Sequence, residues 1–237
     1  MKLLMLSKIN LRVAIQYFKE GGNSMTEKLE QRSPEWYQFR LGNIMASKIK
    51  DLMTKTKYGE SKYKTNYRYE LAIERLTGKQ AVIVPLNDAM RNGIEREPEA
   101  RDYFTNKLNL SVREVGSYTH PLIERSGASP DGMVSDGNQE FTLEIKAPTM
   151  MTHARNLLAK ELPSQYKHQV MWQMACAGVD GAYWVSYNPE FPEDTRMKYL
   201  FVERDNVLIK QMEEAVMEFD REVDQLVKLL KEGAKNG

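Results

Sequence analysis

Residues 141–146 read Phe-Thr-Leu-Glu-Ile-Lys and alternate strictly between apolar and polar side chains. Because successive side chains of a β-strand point to opposite faces, this alternation predicts a strand whose apolar face lies on the core. Glu144 and Lys146 then lie side by side on the opposite face. Residues 135–138 (Ser-Asp-Gly-Asn) are a strong turn signal, so residues 133–134 are predicted to form the paired strand of a hairpin.

The polar face of this hairpin carries a candidate metal site. Asp131 lies at the start of the first strand, where the hairpin can bring it next to Glu144. Two close carboxylates repel each other, and oxygen ligands of this kind suit Mg²⁺ or Mn²⁺. A metal there can activate water for attack on a phosphodiester, and Lys146 beside it can orient that water or neutralise the developing charge.

The alternative is a surface strand with an ordinary Glu/Lys pair, because the pattern Glu-x-Lys is common by itself. The combination is more specific, since Ser-Pro-Asp-Gly at 129–132 is followed within one hairpin by Leu-Glu-Ile-Lys-Ala-Pro at 143–148. We therefore predict metal-dependent phosphodiester chemistry at Asp131, Glu144 and Lys146.

Helix signals dominate the first half of the chain, and strand signals follow them. Caps, breakers and apolar spacing predict helices over 34–41, 47–53 (capped by Ser47), 66–76, 87–108 and 164–178, with a mobile loop at 58–64. Further strands are predicted at 183–187 and 199–203. Helices, then strands, then a helical crossover and more strands predict an α/β or α+β core.

Glu97 falls on the apolar stripe of the predicted helix over 87–108, three residues after Ile94. A buried carboxylate is costly unless it is paired or binds a cation, so this position is a candidate metal ligand. Pro98 should kink or interrupt the helix at this point, and a kink could return Glu97 to solvent. Both interpretations stay open on the sequence alone.

The last predicted helix covers residues 206–231 and carries apolar residues every seven positions, at 209, 216, 223 and 230. This spacing is compatible with a coiled-coil seam, although about three heptads are the minimum for one. Packing on the core of the same domain is the favoured interpretation.

Residues 1–24 differ from the rest of the chain, being rich in apolar residues without the small-residue cleavage site of a secretory signal. Glu20-Gly21-Gly22 can be encoded by a purine-rich stretch like a bacterial ribosome-binding site, two codons before Met25. One hypothesis is that translation begins at Met25 and that residues 1–24 are a non-native extension; an amphipathic terminal helix is the alternative. Residues 25–237 are then predicted to form a single domain.

Composition excludes several classes of protein. Cys176 is the only cysteine and the three histidines are scattered, so intrachain disulfides and an ordinary Cys/His zinc site are excluded. No apolar run approaches the roughly 20 residues of a membrane helix, so we expect a cytoplasmic protein without a membrane partner.

Residues 40–79 hold ten lysines and arginines against four acids, with tyrosines between them. Such a stretch could bind nucleic acid, but a solvated loop and helix is slightly favoured.

Several landmarks recur in a characteristic order: Trp36 with Arg40-Leu41-Gly42, Ala46-Ser47, Gly93 to Glu97, Ser129-Pro130-Asp131-Gly132, Leu143 to Lys146, and Tyr166 to Trp172. Their order and spacing resemble the lambda-exonuclease or YqaJ-type viral recombinase group of the PD-(D/E)XK nuclease superfamily. The resemblance covers roughly residues 33–203 and implies a restriction-endonuclease-like core, with a central mixed β-sheet flanked by helices. One departure is the alanine after Lys146, where lambda exonuclease has a cysteine.

The resemblance implies a role for each matching position. Asp131, Glu144, Glu97 and the backbone carbonyl of Ile145 would ligate metal, and Lys146 would act on the attacking water. Arg40, Ser47, Ser129 and Gln169 would hold the 5′-phosphate of a DNA end. An arginine fork can bind phosphate bidentately, and a serine at a helix N-cap would add free backbone N–H groups. Without the resemblance, Arg40 is a surface charge, Ser47 only a cap and Gln169 only a helix-surface amide.

The resemblance further implies a 5′→3′ exonuclease on linear double-stranded DNA that uses Mg²⁺ as two ions, with Mn²⁺ as a substitute. It would leave 3′ single-stranded tails for an annealing protein in phage-type homologous recombination. It would also form a ring-shaped homotrimer around DNA. Two alternatives are kept: an endonuclease or resolvase on the same core, and a DNA-end-binding factor that does not cut.

Overall fold

The computed structural model describes residues 29–57, 59–83, 85 and 87–234. The predicted extension over residues 1–24 and the predicted start at Met25 lie outside these residues, so both stay predictions. The helices are α1 (Pro34–Arg40), α2 (Ile49–Met53), α3 (Lys62–Thr77), α4 (Asp88–Leu108), α5 (Met150–Leu157), α6 (Ser164–Ala177) and α7 (Asn206–Gly233). The strands are β1 (Ile44–Met45), β2 (Lys55–Thr56), β3 (Gly59–Glu60), β4 (Ser111–Arg113), β5 (Tyr118–His120), β6 (Ile123–Ala128), β7 (Gly132–Ser135), β8 (Glu140–Lys146), β9 (Gly181–Tyr187) and β10 (Met197–Glu203).

A mixed sheet of the order β10-β9-β8-β7-β4 forms the centre of the described fold. The central strand, β8, pairs antiparallel with β7 and parallel with β9. Gly132 lies opposite Leu143 and Ser135 lies opposite Glu140, so the predicted hairpin is confirmed. A smaller sheet of the order β1-β6-β5 lies beside it, and helices flank the central sheet. The predicted fold class, a mixed α/β core with helices around a central sheet, is confirmed.

The two faces of β8 pack against different helices. Phe141, Leu143 and Ile145 are buried in a cluster with Ala100 and Phe104 of α4, as the alternation predicts. The opposite face is covered by α6, and it is buried too: Glu144 is only 1% exposed. The alternative of an ordinary surface Glu/Lys pair is therefore wrong.

Helix α4 passes through Pro98 without interruption. Asn87 begins it as predicted, because its side chain accepts a hydrogen bond from the backbone N–H of Met90. Glu97 stays on the inner side of the helix and is 7% exposed. The prediction of an interruption is wrong, and so is the alternative in which a kink returns Glu97 to solvent.

Two predicted helix starts were wrong. Ser47 does not cap a helix, because it lies inside a 3-10 turn, Ala46–Lys48, that precedes α2. Helix α3 begins at Lys62 and not at residue 66, since the side chain of Ser61 accepts a hydrogen bond from the backbone N–H of Lys64. Part of the segment predicted as a mobile loop is therefore helical.

Helix α7 packs on the core of the same chain, as favoured from its spacing. Its row of Ile209, Met212, Val216, Phe219 and Val223 is buried in the main cluster. Phe219 stacks on Tyr67 of α3 with 5.5 Å between ring centroids.

Three cations of the basic stretch are paired with acids of α7. Lys64 and Arg68 both contact Glu222, at 2.9 and 2.8 Å. Arg75 contacts Asp220 and Asp224, at 2.7 and 3.1 Å. These three cations tie α3 to α7 and are engaged within the chain. Across the described part of the chain, no helix is both long and apolar enough to cross a membrane.

Candidate active site

Asp131 is fixed to the central strand by two hydrogen bonds. Its backbone N–H donates to the carbonyl of Leu143 at 2.9 Å. Its carboxylate accepts the backbone N–H of Ile145 at 2.6 Å. Both bonds reach β8 on either side of Glu144, so the hairpin brings Asp131 and Glu144 together as predicted.

Glu144 is held from the α6 side of the sheet. The side-chain amides of Gln169 and Gln173, one helical turn apart, both donate to its carboxylate, the former at 2.7 Å. Lys146 forms a salt bridge to the same carboxylate. This set of donors fixes the orientation of a carboxylate that is nearly inaccessible to bulk water.

Lys146 keeps its positive charge in this site. Burial by itself would lower the pKa of its ammonium group, but Glu144 and Asp131 outweigh burial and raise that pKa above its ordinary value. The ammonium group also lies 5.4 Å from the ring centroid of Tyr166. A protonated lysine at this position can donate hydrogen bonds and neutralise negative charge, but it cannot accept a proton.

The carboxylates of the site repel one another. Burial raises the pKa of Asp131 well above its ordinary range, and the charges of Glu144 and Glu97 raise it further. Lys146 and the N–H of Ile145 offset this shift only in part. Glu97, found first on an apolar stripe, thus acts electrostatically on the same group as the hairpin residues.

Glu97 is paired with two arginines. Arg101 donates to one of its carboxylate oxygens at 2.7 Å, and Arg32 forms a salt bridge with the other. Arg101 also donates to the carbonyl of Asp131 at 3.1 Å, which links α4 to the start of β7.

The carboxylate oxygens of the site are chemically suited to a divalent cation, but the described side chains do not surround one common point. Within the described ranges, no three acidic, histidine or cysteine side chains are grouped closely enough to hold one ion. A cation would relieve the repulsion that raises the pKa of Asp131, and the carboxylate oxygens present are suitable for Mg²⁺ or Mn²⁺. The carbonyl of Ile145 as a further ligand stays a prediction.

The four residues predicted to hold a phosphate line one small cavity. It has a volume of about 190 Å³ and is lined by Arg40, Ser47, Ser129 and Gln169, together with Asp131. Gln169 lines this cavity and donates to Glu144, so the cavity borders the carboxylate cluster through Asp131 and Gln169.

Arg40 is positioned by its neighbours in this cavity. Its guanidinium group lies 4.3 Å from the ring centroid of Trp36 and donates to the hydroxyl of Ser129 at 3.3 Å. Ser129 is held in turn by Ser117, with 2.8 Å between the two hydroxyl oxygens. Burial lowers the pKa of Arg40, but a guanidinium group stays charged at neutral pH.

Besides Arg32, three supporting residues were missed from the sequence. Gln173 continues the four-residue spacing of Gln165 and Gln169, so the polar face of α6 could have revealed it. Arg101 lies four residues after Glu97, a spacing that favours a salt bridge on a helix. Ser117 gave no signal, because its contact with Ser129 depends on the fold of the smaller sheet.

The fold and the site together define the class of protein. A mixed central sheet places an aspartate at the start of one strand and Glu-x-Lys on its neighbour, which is the arrangement of the PD-(D/E)XK nuclease superfamily. Within that class, the sequence profile of the YqaJ-like viral recombinase domain matches residues 35–180. The chain belongs to the YqaJ-like viral recombinase family.

Solved structures agree with this assignment. An alkaline exonuclease from Laribacter hongkongensis, LHK-Exo, is 36% identical, with a TM-score of 0.78 over 86% of this chain and 99% of that chain. A complex of LHK-Exo with dAMP gives a TM-score of 0.79 with the same identity and coverage. A phage-related exonuclease from Haemophilus somnus 129PT, 16% identical with a TM-score of 0.65 over 79% of this chain and 96% of that chain, shares the fold. A search of curated proteins gives no match.

Proposed function

We propose that this protein is a metal-dependent 5′→3′ exonuclease that degrades one strand of linear double-stranded DNA. The observation that carries the proposal is the cavity shared by Arg40, Ser129 and Asp131, because it joins a phosphate-binding pocket to a carboxylate cluster. The related protein LHK-Exo is described as an alkaline exonuclease and binds dAMP, a 5′-mononucleotide. The same activity in this chain would release 5′-mononucleotides and leave 3′ single-stranded tails.

The proposed chemistry is hydrolysis of a phosphodiester at the carboxylate cluster. Asp131, Glu144, Glu97 and the Ile145 carbonyl would hold Mg²⁺, as one or two ions, with Mn²⁺ as a substitute. When bound, the metal supplies Lewis-acid chemistry, by lowering the pKa of water and stabilising charge on the phosphate oxygens. Lys146, which contacts Glu144, would orient the attacking water and neutralise negative charge as the phosphate is attacked.

The phosphate pocket restricts cutting to the end of a strand. A 5′-phosphate held by Arg40, Ser47 and Ser129 lies next to Asp131, so the first phosphodiester bond is the one presented to the cluster. A guanidinium group stacked on Trp36 is fixed in orientation, which suits bidentate binding of phosphate oxygens. Ser47 lies in the 3-10 turn before α2 and does not cap a helix, so its hydroxyl is its proposed contact with the phosphate.

We also propose a biological setting, which the family supports. A YqaJ-like viral recombinase that makes 3′ tails would supply them to a single-strand annealing protein in phage-type recombination in a bacterial cytoplasm. We also propose a homotrimer that encloses DNA, since a closed ring would keep the enzyme on its substrate without ATP.

Substrate topology separates this proposal from its rivals. We expect rapid digestion of linear duplex with 5′-phosphate ends, slower digestion with 5′-hydroxyl ends, and no cutting of covalently closed circles. The physical reason is that the pocket needs a strand end and gains charge-assisted hydrogen bonds from a phosphate. Gel analysis of the three substrates under Mg²⁺ checks this.

Each rival gives a different outcome in that assay. Cutting of closed or nicked circles at internal positions would indicate an endonuclease or resolvase. Binding of DNA ends without digestion of any substrate would indicate a non-cutting end-binding factor.

A further inference from the structure

Arg32 has a backbone conformation that is unusual for its residue type. It directly precedes Ser33, the N-cap of α1, and its φ is +68°. Residues with a Cβ rarely adopt this left-handed region, and such outliers concentrate at functional sites where the surroundings hold them in place. Contacts of the preceding residue hold the backbone here, because the side chain of Gln31 donates to the carbonyls of Val115 and Pro130 at 2.8 and 2.7 Å.

The side chain of Arg32 reaches the border between the two parts of the site. It forms a salt bridge with Glu97 of α4, and it lines the phosphate cavity together with Arg40. It also lines a larger adjoining cavity of about 650 Å³. With 36% of its side chain exposed, Arg32 is open to a ligand that enters the pocket.

The charges of the phosphate cavity leave a role for a second cation. Among the described residues that line it, Arg32 and Arg40 are basic, Asp131 is acidic and the others are uncharged. A terminal phosphate monoester carries roughly 1.5 to 2 negative charges at neutral pH, whereas a 5′-hydroxyl end carries none. One guanidinium group therefore leaves most of the negative charge of a terminal phosphate and Asp131 uncompensated, whereas a second one compensates more of it.

Glu97 can release Arg32 without losing its other partner. Arg101 is 12% exposed and is held by Glu97, Glu114 and the carbonyl of Asp131, so it is a fixed counter-charge. Arg32 meets Glu97 from the cavity side and is the more exposed of the two arginines. A bound phosphate can thus share or take over Arg32, while Arg101 continues to neutralise Glu97.

We infer that Arg32 is a second phosphate-binding arginine, and that it determines the preference of the site for a 5′-phosphate over a 5′-hydroxyl end. The inference rests on the proposed exonuclease function. Arg40 is the fixed part of the pocket and stacks on Trp36, whereas Arg32 is the part recruited from Glu97.

The test compares the full-length protein with Arg32→Gln, Arg32→Lys and the control Arg96→Gln. Arg96 precedes Glu97, pairs with Glu190 and does not line either cavity. For each protein, kcat and KM are measured on duplexes with 5′-phosphate and 5′-hydroxyl ends under Mg²⁺. Affinity for the same two duplexes is measured by fluorescence anisotropy with Ca²⁺ in place of Mg²⁺.

We expect Arg32→Gln to lower the phosphate-over-hydroxyl ratio of kcat/KM by about 10-fold, mainly through KM, because one charge-assisted contact is lost. The anisotropy ratio should fall in parallel, Arg32→Lys should restore part of both ratios, and Arg96→Gln should leave them unchanged. An unchanged ratio in Arg32→Gln, or an equal loss on both ends, would overturn the inference. Absence of cleavage by the unmodified protein would instead overturn the proposed function, and the anisotropy ratios would still decide the role of Arg32.

Discussion

Replacing Lys146 by alanine is expected to reduce DNA cleavage by on the order of 10²- to 10³-fold while leaving DNA binding largely intact. The ammonium group is protonated and contacts Glu144, so its loss removes a positive charge where negative charge develops during hydrolysis. In the proposed function, DNA affinity depends on the phosphate cavity, which Lys146 does not line. Cleavage rates and end-binding affinities of the variant, measured side by side, check both parts.

Lys167→Ala is the matched control for this experiment. Lys167 lies on α6 close to the site in sequence, but its side chain is exposed and only 3.8 Å from Asp205, away from the carboxylate cluster. It should cleave DNA at the normal rate. If Lys146→Ala digests DNA as fast as this control, the proposed mechanism is wrong.

Asp131→Asn is expected to abolish metal-dependent cleavage and, without metal, to stabilise the fold. Asparagine keeps an oxygen that can accept the N–H of Ile145, so the hairpin contact survives. It removes a charge that burial and the repulsion of Glu144 and Glu97 disfavour. The loss of a metal ligand should lower the cleavage rate on the order of 10²-fold or more. A gain in stability with a loss of activity is expected where an active site requires a destabilised arrangement of charges.

Thermal unfolding and cleavage assays test both parts of this prediction. In EDTA, the Tm of Asp131→Asn should exceed that of the unmodified protein. Added Mg²⁺ should raise the Tm of the unmodified protein more than that of the variant, because a ligand stabilises the state that binds it. The control Asp102→Asn, at an exposed position of α4, should change neither. A lower Tm in EDTA, or normal Mg²⁺-dependent cleavage by Asp131→Asn, would contradict the account.

The parts of the site that follow from local periodicity were predictable. Alternation over residues 141–146 placed Glu144 and Lys146 on one face, and helical spacing identified Glu97 as a carboxylate on a buried stripe. The turn at 135–138 pairs β7 with β8 and so places Asp131, which precedes β7, beside β8. Each of these signals depends on residues close in sequence, where backbone geometry alone sets the arrangement.

The remaining features depend on contacts between distant segments. The burial of Glu144 comes from α6, and the pairing of Glu97 with Arg32 joins residues 65 positions apart. The pairing of Lys64, Arg68 and Arg75 with α7 was also missed, because its acids lie about 150 residues further along. The phosphate cavity draws on four separate segments, so it was predicted by resemblance and not by a local pattern.

The two wrong helix starts both concern short signals at helix N-termini. A serine before an apolar segment can begin a helix, but it can also enter a 3-10 turn, as Ser47 does. Ser61, within the segment predicted as a loop, caps α3, which begins four residues earlier than predicted. The sequence signal for a helix start spans only a few residues, so the first residue of a helix is predicted less reliably than the helix itself.

The most direct test of the central claim follows a label at the 5′ end of a linear duplex during incubation with the unmodified protein. With Mg²⁺, the label should appear first as a mononucleotide, while a 3′ label on the same strand stays in progressively shorter DNA. EDTA should stop the release, because Asp131 and Glu144 are proposed to act through a bound cation. Release that persists in EDTA, or a 3′ label released first, would contradict a metal-dependent exonuclease that starts at the 5′ end.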